Sequence, residues 1–394
     1  MSKKKKNLKV KKATQIVSYN AANPTRRIID ALKEKYFFRL NIANQRMEFR
    51  EIGETLFRNL TDNDLNTIKV ELNLRDLTCS KETLRVIIFS KQWPWYDPYK
   101  KFLAGLPKWD GHDHIADLAS TVKTDDDKYL LWCFRKWIVG FVGSLADEKT
   151  INQIALVYCG AQGVGKSTWF LNILPPELQT YYDQGLLDPR DKDTLIKLSE
   201  LCLYNMDEVE NLKPKNVEAI KELITKPSMY LRRAYCTLSQ NYPRRCSFCG
   251  TANGTIILHD ITGNRRFLCQ NVISIDYNLT GINLYQVYAQ AYHLYRTGFQ
   301  YWIDAKEQAA VEKQNARFRA MSIEEEMIVR YLEACNDGDQ GAKRMQAHEI
   351  GTLLQAKASV GRLNINVIGR VLSAKGFTQK KSNGISKWVV REKP

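Results

Sequence analysis

The sequence predicts an α/β protein: a parallel sheet with crossover helices at its centre, a smaller α+β segment before it and a small helical module after it. Three observations carry that expectation. Short apolar runs rich in strand-formers recur at 154–159, 201–206, 246–251 and 267–275, separated by helical or loop stretches. This is the spacing of strands joined by crossover helices. A glycine-rich turn follows the first of these runs and precedes a helix-compatible run at 168–174. The basic charge, finally, is confined to the two ends of the chain.

Composition limits the function classes. A chain of 394 residues, 44% of them apolar, suits two or three domains with a sizeable core. No apolar run approaches the roughly 18 residues that span a membrane. The lysine-rich N-terminus lacks the apolar stretch of a signal peptide. Nine scattered cysteines then fit reduced thiols in a cytoplasm. The formal net charge is +16. Residues 1–12 hold seven lysines and no acid; residues 343–394 hold eleven Lys and Arg against Glu349 and Glu392; the stretch between is neutral overall. The pattern predicts polyanion binding at the ends and catalysis in the middle. A disordered, solubilising tail is an equal reading of residues 1–12.

Along the chain, 23–32 reads as a helix, 36–42 and 46–50 as a hairpin across 43–45, and Thr61 as the N-cap of a further helix. The Pro- and aromatic-rich segment 93–99 breaks regular structure. Residues 112–150 read as helices, with Asp125, Asp126 and Asp127 at an N-terminus before an apolar run at 129–142. Residues 285–301 are helical and aromatic-rich, and 305–326 reads as one long linking helix. Three short helices at 326–335, 348–355 and 365–373 precede a hairpin at 377–381 and 386–390, a winged-helix-like arrangement. The expected organisation is a basic tail 1–12, an accessory α+β domain 13–110, a catalytic core 111–304, the linking helix 305–326 and a DNA-binding module 327–394.

The turn at 160–167 reads G-x-x-x-x-G-K-S. Strand, glycine loop and helix is the context a phosphate-binding loop needs. Gly160, Gly163 and Gly165 let backbone N–H groups turn inward around a phosphate, with Val164 and Thr168 completing the loop. Lys166 would reach the β- and γ-phosphates and Ser167 would ligate Mg²⁺. ATP and Mg²⁺ are therefore the expected cofactors. The run 201–206 ends in Asp207-Glu208, a Walker B pattern: Asp207 would hold the metal through water and Glu208 would act as base for the attacking water. The strand at 246–251 ends near Asn253, a candidate sensor of the γ-phosphate, with Thr251 behind it. Arg265 and Arg266 follow a Gly-Asn turn, and either could serve a neighbouring subunit as an arginine finger.

Between Walker B and the sensor strand lies a basic, aromatic stretch holding Arg232, Arg233, Tyr235, Arg244 and Arg245. Arg and Tyr together suit the phosphates and bases of a single strand. Lys380, Lys381 and Lys387 on the C-terminal hairpin suit phosphate contacts, with 364–370 as the groove-entering helix. Cys246 and Cys249 form a lone C-x-x-C, near only Cys236 and His259, and read as core thiols. His112 and His114 read as an isolated pair with no metal.

The order Walker A, Walker B, Leu-Arg-Arg-Ala-Tyr at 231–235, Pro-Arg-Arg-Cys-Ser-Phe-Cys-Gly-Thr-Ala-Asn at 243–253 and Asp-Ile-Thr-Gly-Asn-Arg-Arg-Phe at 260–267 resembles the virulence-associated protein E family. The segment from Tyr96 to Gly111 resembles the opening of the same domain, and the tail from about 320 resembles a C-terminal domain often fused to it in Bacteroidetes proteins. The family groups with superfamily 3 helicases and the primase-helicases of phages and mobile elements. The resemblance implies an AAA+-like P-loop core, a hexameric ring and ATP-driven movement on single-stranded or forked DNA during replication. Many relatives carry an N-terminal primase. Residues 1–90 show no acidic primase motif; a separate primase is one partner the resemblance allows, and the sequence does not decide whether there is one. An ATP-regulated replication initiator or loader is the alternative, and a small-molecule kinase fits less well with the paired arginines and basic ends.

Overall fold

The computed structural model describes residues 23–212, 214–233, 238–254, 257–258, 264–358, 361–382 and 385–393. The lysines of the N-terminal tail, Tyr235, Cys236, His259 and the hairpin tip at 383–384 lie outside them. The chain divides into two compact units, up to Pro98 and from Tyr99 onward. The division falls inside the Pro- and aromatic-rich segment, short of the boundary expected at 110.

In the first unit, helix Pro24–Lys35 starts where the Asn23 side chain accepts from the Thr25 and Arg26 N–H groups. Strands Tyr36–Asn41 and Arg46–Glu51 pair antiparallel, and Arg58–Asn59 and Trp95–Tyr96 complete a four-stranded sheet. Helix Asp62–Leu74 opens with a capping box between Thr61 and Asp64. Its Leu65 and Ile68, with Leu84 and Ile88 of helix Lys81–Ile88, share one core with Phe38, Phe49 and Trp93.

The second unit is built on a six-stranded sheet. Its order is Val122–Thr124, Phe267–Ile275, Ala155–Cys159, Ser247–Ala252, Leu203–Met206, Tyr182–Gly185. All neighbours run parallel except the edge strand Val122–Thr124. Every residue of Ala155–Cys159 and Ser247–Ala252 is buried, as parallel strands covered on both faces require. Helix Asp127–Ala146, capped by Asp126, packs beside helix Leu284–Arg296. Its Trp137 donates from Nε1 to the Phe248 carbonyl at 2.8 Å, locking helix to sheet. The strand order places Ser247–Ala252 between Ala155–Cys159 and Leu203–Met206. The carboxyl ends of three strands far apart in sequence therefore meet at one edge, where ligands of open parallel sheets bind.

Two expectations about the end of the chain are corrected. The single helix over 305–326 is two: Ala305–Asn315, a 3₁₀ turn Ala316–Phe318, then a new helix from Ile323. The interruption follows from polar groups diverted to the core. Asn315 Nδ2 donates to the Asn264 and Phe267 carbonyls at 3.0 and 2.7 Å. The Phe318 carbonyl accepts from the Ile257 and Leu258 N–H groups, and Ser322 caps the new helix. The helix expected over 326–335 ends at Tyr331, and Leu332–Ala334 is a strand. That strand, Lys343–Met345 and Gln379–Ser382 all pair antiparallel with Ile385–Glu392. Helices Ala347–Ala358 and Ile365–Ala374 complete the region around Ile350, Leu354, Ile368 and Leu372. Glu325, its side chain 1% exposed, holds Arg319 through both oxygens at 2.6 Å and Lys375 at 3.0 Å. No helix among the described residues is long and apolar enough to cross a membrane.

Candidate active site

The glycine loop leaves strand Ala155–Cys159 and ends at helix Lys166–Asn172. Its glycines are required by geometry. Gly160 and Gly165 have φ of 152° and 91°, which L side chains rarely adopt. A Cβ at Gly160 would meet the Val272 carbonyl at 2.5 Å, and one at Gly165 would strike the Tyr277 ring at 2.3 Å. Lys166 is only 6% exposed. Its Nζ donates to the Gly160 and Ala161 carbonyls at 2.9 and 2.7 Å, folded back over its own loop. Burial holds its pKa below the ordinary lysine value, opposed by the charge of nearby acids.

Ser167 follows on the helix and donates from Oγ to Asp207 Oδ1 at 3.3 Å. Thr251 Oγ1, from the adjacent strand, donates to the same oxygen. The helix after the glycine loop, the end of strand Leu203–Met206 and strand Ser247–Ala252 are thus joined through one carboxylate. A hydroxyl and a carboxylate side by side are hard oxygen donors, the set a Mg²⁺ ion takes.

The acid that reaches across this site is one the sequence reasoning missed. Glu208 is exposed, has φ of 52° and accepts from Asn211 Nδ2 at 2.9 Å. Two residues on, Glu210 Oε1 accepts the Asn253 N–H at 2.9 Å. Its charge, with that of Asp207, acts on Lys166. The spacing Asp-x-x-Glu was the available signal. Adjacency of Asp207 and Glu208 obscured it, because a left-handed residue at 208 was not legible. The structure therefore brings together Lys166, Ser167, Asp207, Thr251, Asn253 and Glu210.

The arginines separate into two groups. Arg244 is fully buried, with Nε on the Lys226 carbonyl at 2.8 Å, Nη2 on the Ile224 and Asn152 carbonyls at 2.6 and 3.3 Å, and Nη1 on the Cys246 carbonyl. Burial lowers its pKa to about 10. Arg245, 6% exposed, donates to the Ser144 and Leu145 carbonyls, which lie in the last turn of helix Asp127–Ala146 and lack helical partners. Arg233 pairs with Glu200 and donates to Ser199 Oγ at 2.9 Å. The expected DNA contacts at Arg244 and Arg245 are corrected: both guanidiniums are committed to interior carbonyls. Arg232 is exposed, as is Tyr230 on the hairpin of Ser228–Leu231 and Gln240–Pro243. Tyr235 lies outside the described residues.

Arg265 is exposed and donates to Gln308 Oε1 at 2.7 Å. Arg266 is half-buried, its guanidinium held below the ordinary value first by burial and then by Arg265. Both sit on the 3₁₀ turn Asn264–Arg266. On the C-terminal hairpin Lys380 and Lys381 are exposed, Lys387 is half-buried, and Lys380 stands opposite Lys387. Cys246 and Cys249 are fully buried, and burial pushes both thiols up, Cys246 to about 12. His112 and His114 are not isolated. His112 Nε2 lies 2.7 Å from Asp117, and His114 Nε2 lies 3.0 Å from Asp110.

Comparison with known proteins agrees with this architecture. The C-terminal region (305-718) of NrS-1, in its apo structure, is similar with a TM-score of 0.50 at 13% identity, covering 94% of this chain and 100% of that one. The A form apo structure of the same C-terminal region gives the same figures. At that identity the likeness is one of fold. No curated protein matches the chain. The model of the virulence-associated protein E-like domain matches residues 103–320, over half of the chain and all the strand ends that carry the cluster around Lys166. The chain belongs to the virulence-associated protein E-like family.

Proposed function

We propose that this chain is an ATP-dependent DNA helicase or translocase that acts in the replication of a phage or mobile element. One observation carries the reading. Ser167, Asp207 and Thr251 come from three separate strand ends and meet through hydrogen bonds at the carboxyl edge of a parallel sheet, at the glycine loop over which Lys166 folds back. ATP fits the loop: its glycines hold backbone conformations that open N–H groups toward a phosphate, and Lys166 exchanges its carbonyl partners for phosphate oxygens. Mg²⁺, held by Ser167 and Asp207, would neutralise charge on the β- and γ-phosphates.

DNA is proposed to contact the exposed Tyr230 and Arg232 of the central hairpin and Lys380, Lys381 and Lys387 at the C-terminal end. The C-terminal helices and their antiparallel strands would act as a winged-helix module, with Ile365–Ala374 as the groove helix. The working form is a ring, a hexamer by the family resemblance, in which Arg265 or Arg266 completes the site of the next subunit. ATP hydrolysis measured with no DNA and with single-stranded, forked and duplex DNA, beside strand displacement on the fork, tests the reading. Stimulation by single strands with unwinding is expected. Stimulated hydrolysis without unwinding would instead make the chain an initiator or loader. Mixing Arg265→Ala/Arg266→Ala protein with Lys166→Ala protein should restore part of the activity, and fully active monomers would refute the shared site.

A further inference from the structure

We propose that Glu210, rather than Glu208, is the carboxylate that activates the attacking water. This rests on the proposed ATP hydrolysis at the site and assigns a residue within it.

The backbone makes the exchange. Strand Leu203–Met206 ends, Asp207 follows, and Glu208 takes a left-handed conformation with φ of 52°. Left-handed backbone is unfavourable for a non-glycine residue, so the surroundings must enforce it. The chain then enters the 3₁₀ turn Val209–Asn211. Glu210 lies within that turn, and its side chain reaches the tip of the neighbouring strand, where it accepts the Asn253 N–H. Val209 is buried and packs where a Cβ on Gly250 would come within 2.9 Å of it. That packing fixes the turn against the sensor strand. Glu208 is left at the surface, its carboxylate on Asn211.

Three further observations converge on Glu210. Its Oε1 accepts the Asn253 N–H, so the carboxylate is tied to the tip of the strand that carries Thr251. Its Oε2 is buried and has no hydrogen-bond partner among the described atoms. Buried carboxylate oxygens are almost always satisfied, and an unsatisfied one at a strand tip beside Lys166 is an acceptor aimed at something the reaction brings. Its negative charge also supports the ammonium of Lys166 and opposes ionisation of the Cys159 thiol, which burial already pushes up to about 12.

The two oxygens then have separate tasks. Oε1 stays on the Asn253 amide and holds the side chain in place. Oε2 accepts a proton from water. The water oxygen forms the new bond to the γ-phosphorus, the bond from that phosphorus to the β–γ bridging oxygen breaks, and the electron pair leaves with ADP. The proton on Oε2 passes to solvent with the released phosphate.

The test uses the full chain and four proteins: wild type, Glu210→Gln, Glu210→Asp and Glu208→Gln. Turnover of ATP, equilibrium binding of mant-ATP with Mg²⁺, and thermal melting are read for each. Gln keeps an oxygen for the Asn253 amide and removes the basicity. Glu210→Gln should lower kcat about 100-fold or more, the range of a lost general base, while mant-ATP affinity stays within about threefold of wild type. Glu210→Asp should fall between the two. Glu208→Gln should turn over within about threefold of wild type. Wild-type turnover in Glu210→Gln, an equal loss in Glu208→Gln, or lost mant-ATP binding in Glu210→Gln would each overturn the assignment while leaving a nucleotide site. A wild-type protein that binds no mant-ATP would overturn the reading of the site itself.

Discussion

The strand-tip site and the C-terminal hairpin offer charge in opposite ways. At the strand tips a single lysine, 6% exposed, lies beside Asp207 and Glu210, and each group has a named hydrogen-bond partner. On the hairpin Lys380 and Lys387 stand directly across from each other, with exposed Lys381 next in line. Like charges facing one another across strands repel, so the hairpin stores a positive potential that a polyanion relieves. Charges fixed in the interior act as a unit, and removing one disables the set. Charges on the surface act almost independently and are screened by salt. Substitutions in the first region should therefore be all-or-none, and those in the second graded.

The largest effect belongs to Lys166→Ala. Among the described residues, its Nζ is the cation that the structure places in the glycine loop, through the Gly160 and Ala161 carbonyls. ATP hydrolysis should fall by about 100-fold or more, with mant-ATP binding weakened in parallel. Melting temperature should hold, since the side chain donates to its own loop. Retained hydrolysis would break the comparison at its stronger end.

Next comes Arg244→Ala, which tests whether interior charge outside the site behaves the same way. The guanidinium bridges carbonyls at 152, 224, 226 and 246. Removing it strands buried acceptors, and about 3 kcal/mol of stability should be lost, measured by urea unfolding. Arg232→Ala, exposed on the same stretch, should stay within about 0.5 kcal/mol of wild type while weakening single-stranded DNA binding. Equal destabilisation by the two would remove the distinction between interior and surface arginines.

That distinction also marks how far the sequence could be read. The central strands and the glycine loop were legible because each is local: an apolar run of strand-formers, or a loop of closely spaced glycines between a strand and a helix. The hairpin at 36–51 and the cap at Thr61 were legible for the same reason. Pairs such as Arg232-Arg233 and Arg244-Arg245 look alike in one dimension. Only the tertiary fold shows that Arg244 and Arg245 serve carbonyls at 144–152 and 224–226. The helix expected over 305–326 failed likewise. Nothing local announces that Asn315 will bond the Asn264 and Phe267 carbonyls. Glu210 was missed because its place depends on a left-handed Glu208 and a 3₁₀ turn. Strand Lys343–Met345 depends on a partner more than forty residues on.

A smaller effect is expected on the hairpin. Replacing Lys380, Lys381 and Lys387 together with alanine should lower DNA affinity about tenfold at moderate salt. On duplex DNA the slope of log affinity against log salt should shrink by up to about 0.9 for each phosphate that the hairpin no longer neutralises. Hydrolysis of ATP without DNA should be unchanged. An unchanged slope would make the hairpin a protein-docking surface and dissolve the contrast with the strand tips.

The smallest effect concerns a surface acid that borrows the behaviour of the interior. Glu392, on the last strand, accepts from Lys343 Nζ at 2.8 Å and Lys357 Nζ at 2.7 Å. Those two ammonium partners pull its carboxyl down to about 2 from an ordinary 4.5. A carboxylate whose folded pKa is depressed contributes stability that is fully present above the unfolded value and is lost as pH falls through the folded one. The contribution should therefore be constant above about pH 5 and decline between about pH 4.5 and 2. Asp337 and Glu325 are also depressed, each by its own basic partners, so the total acid sensitivity of the region is not the readout. The difference in melting temperature between wild type and Glu392→Gln isolates the one group. It should be small and flat at neutral pH and shrink toward zero as acid protonates the wild-type carboxylate. High salt should reduce it as well, because the pair is partly open to solvent. A difference that grows on acidification would reverse the sign of the linkage and show that the two lysines do not hold Glu392 in its ionised form.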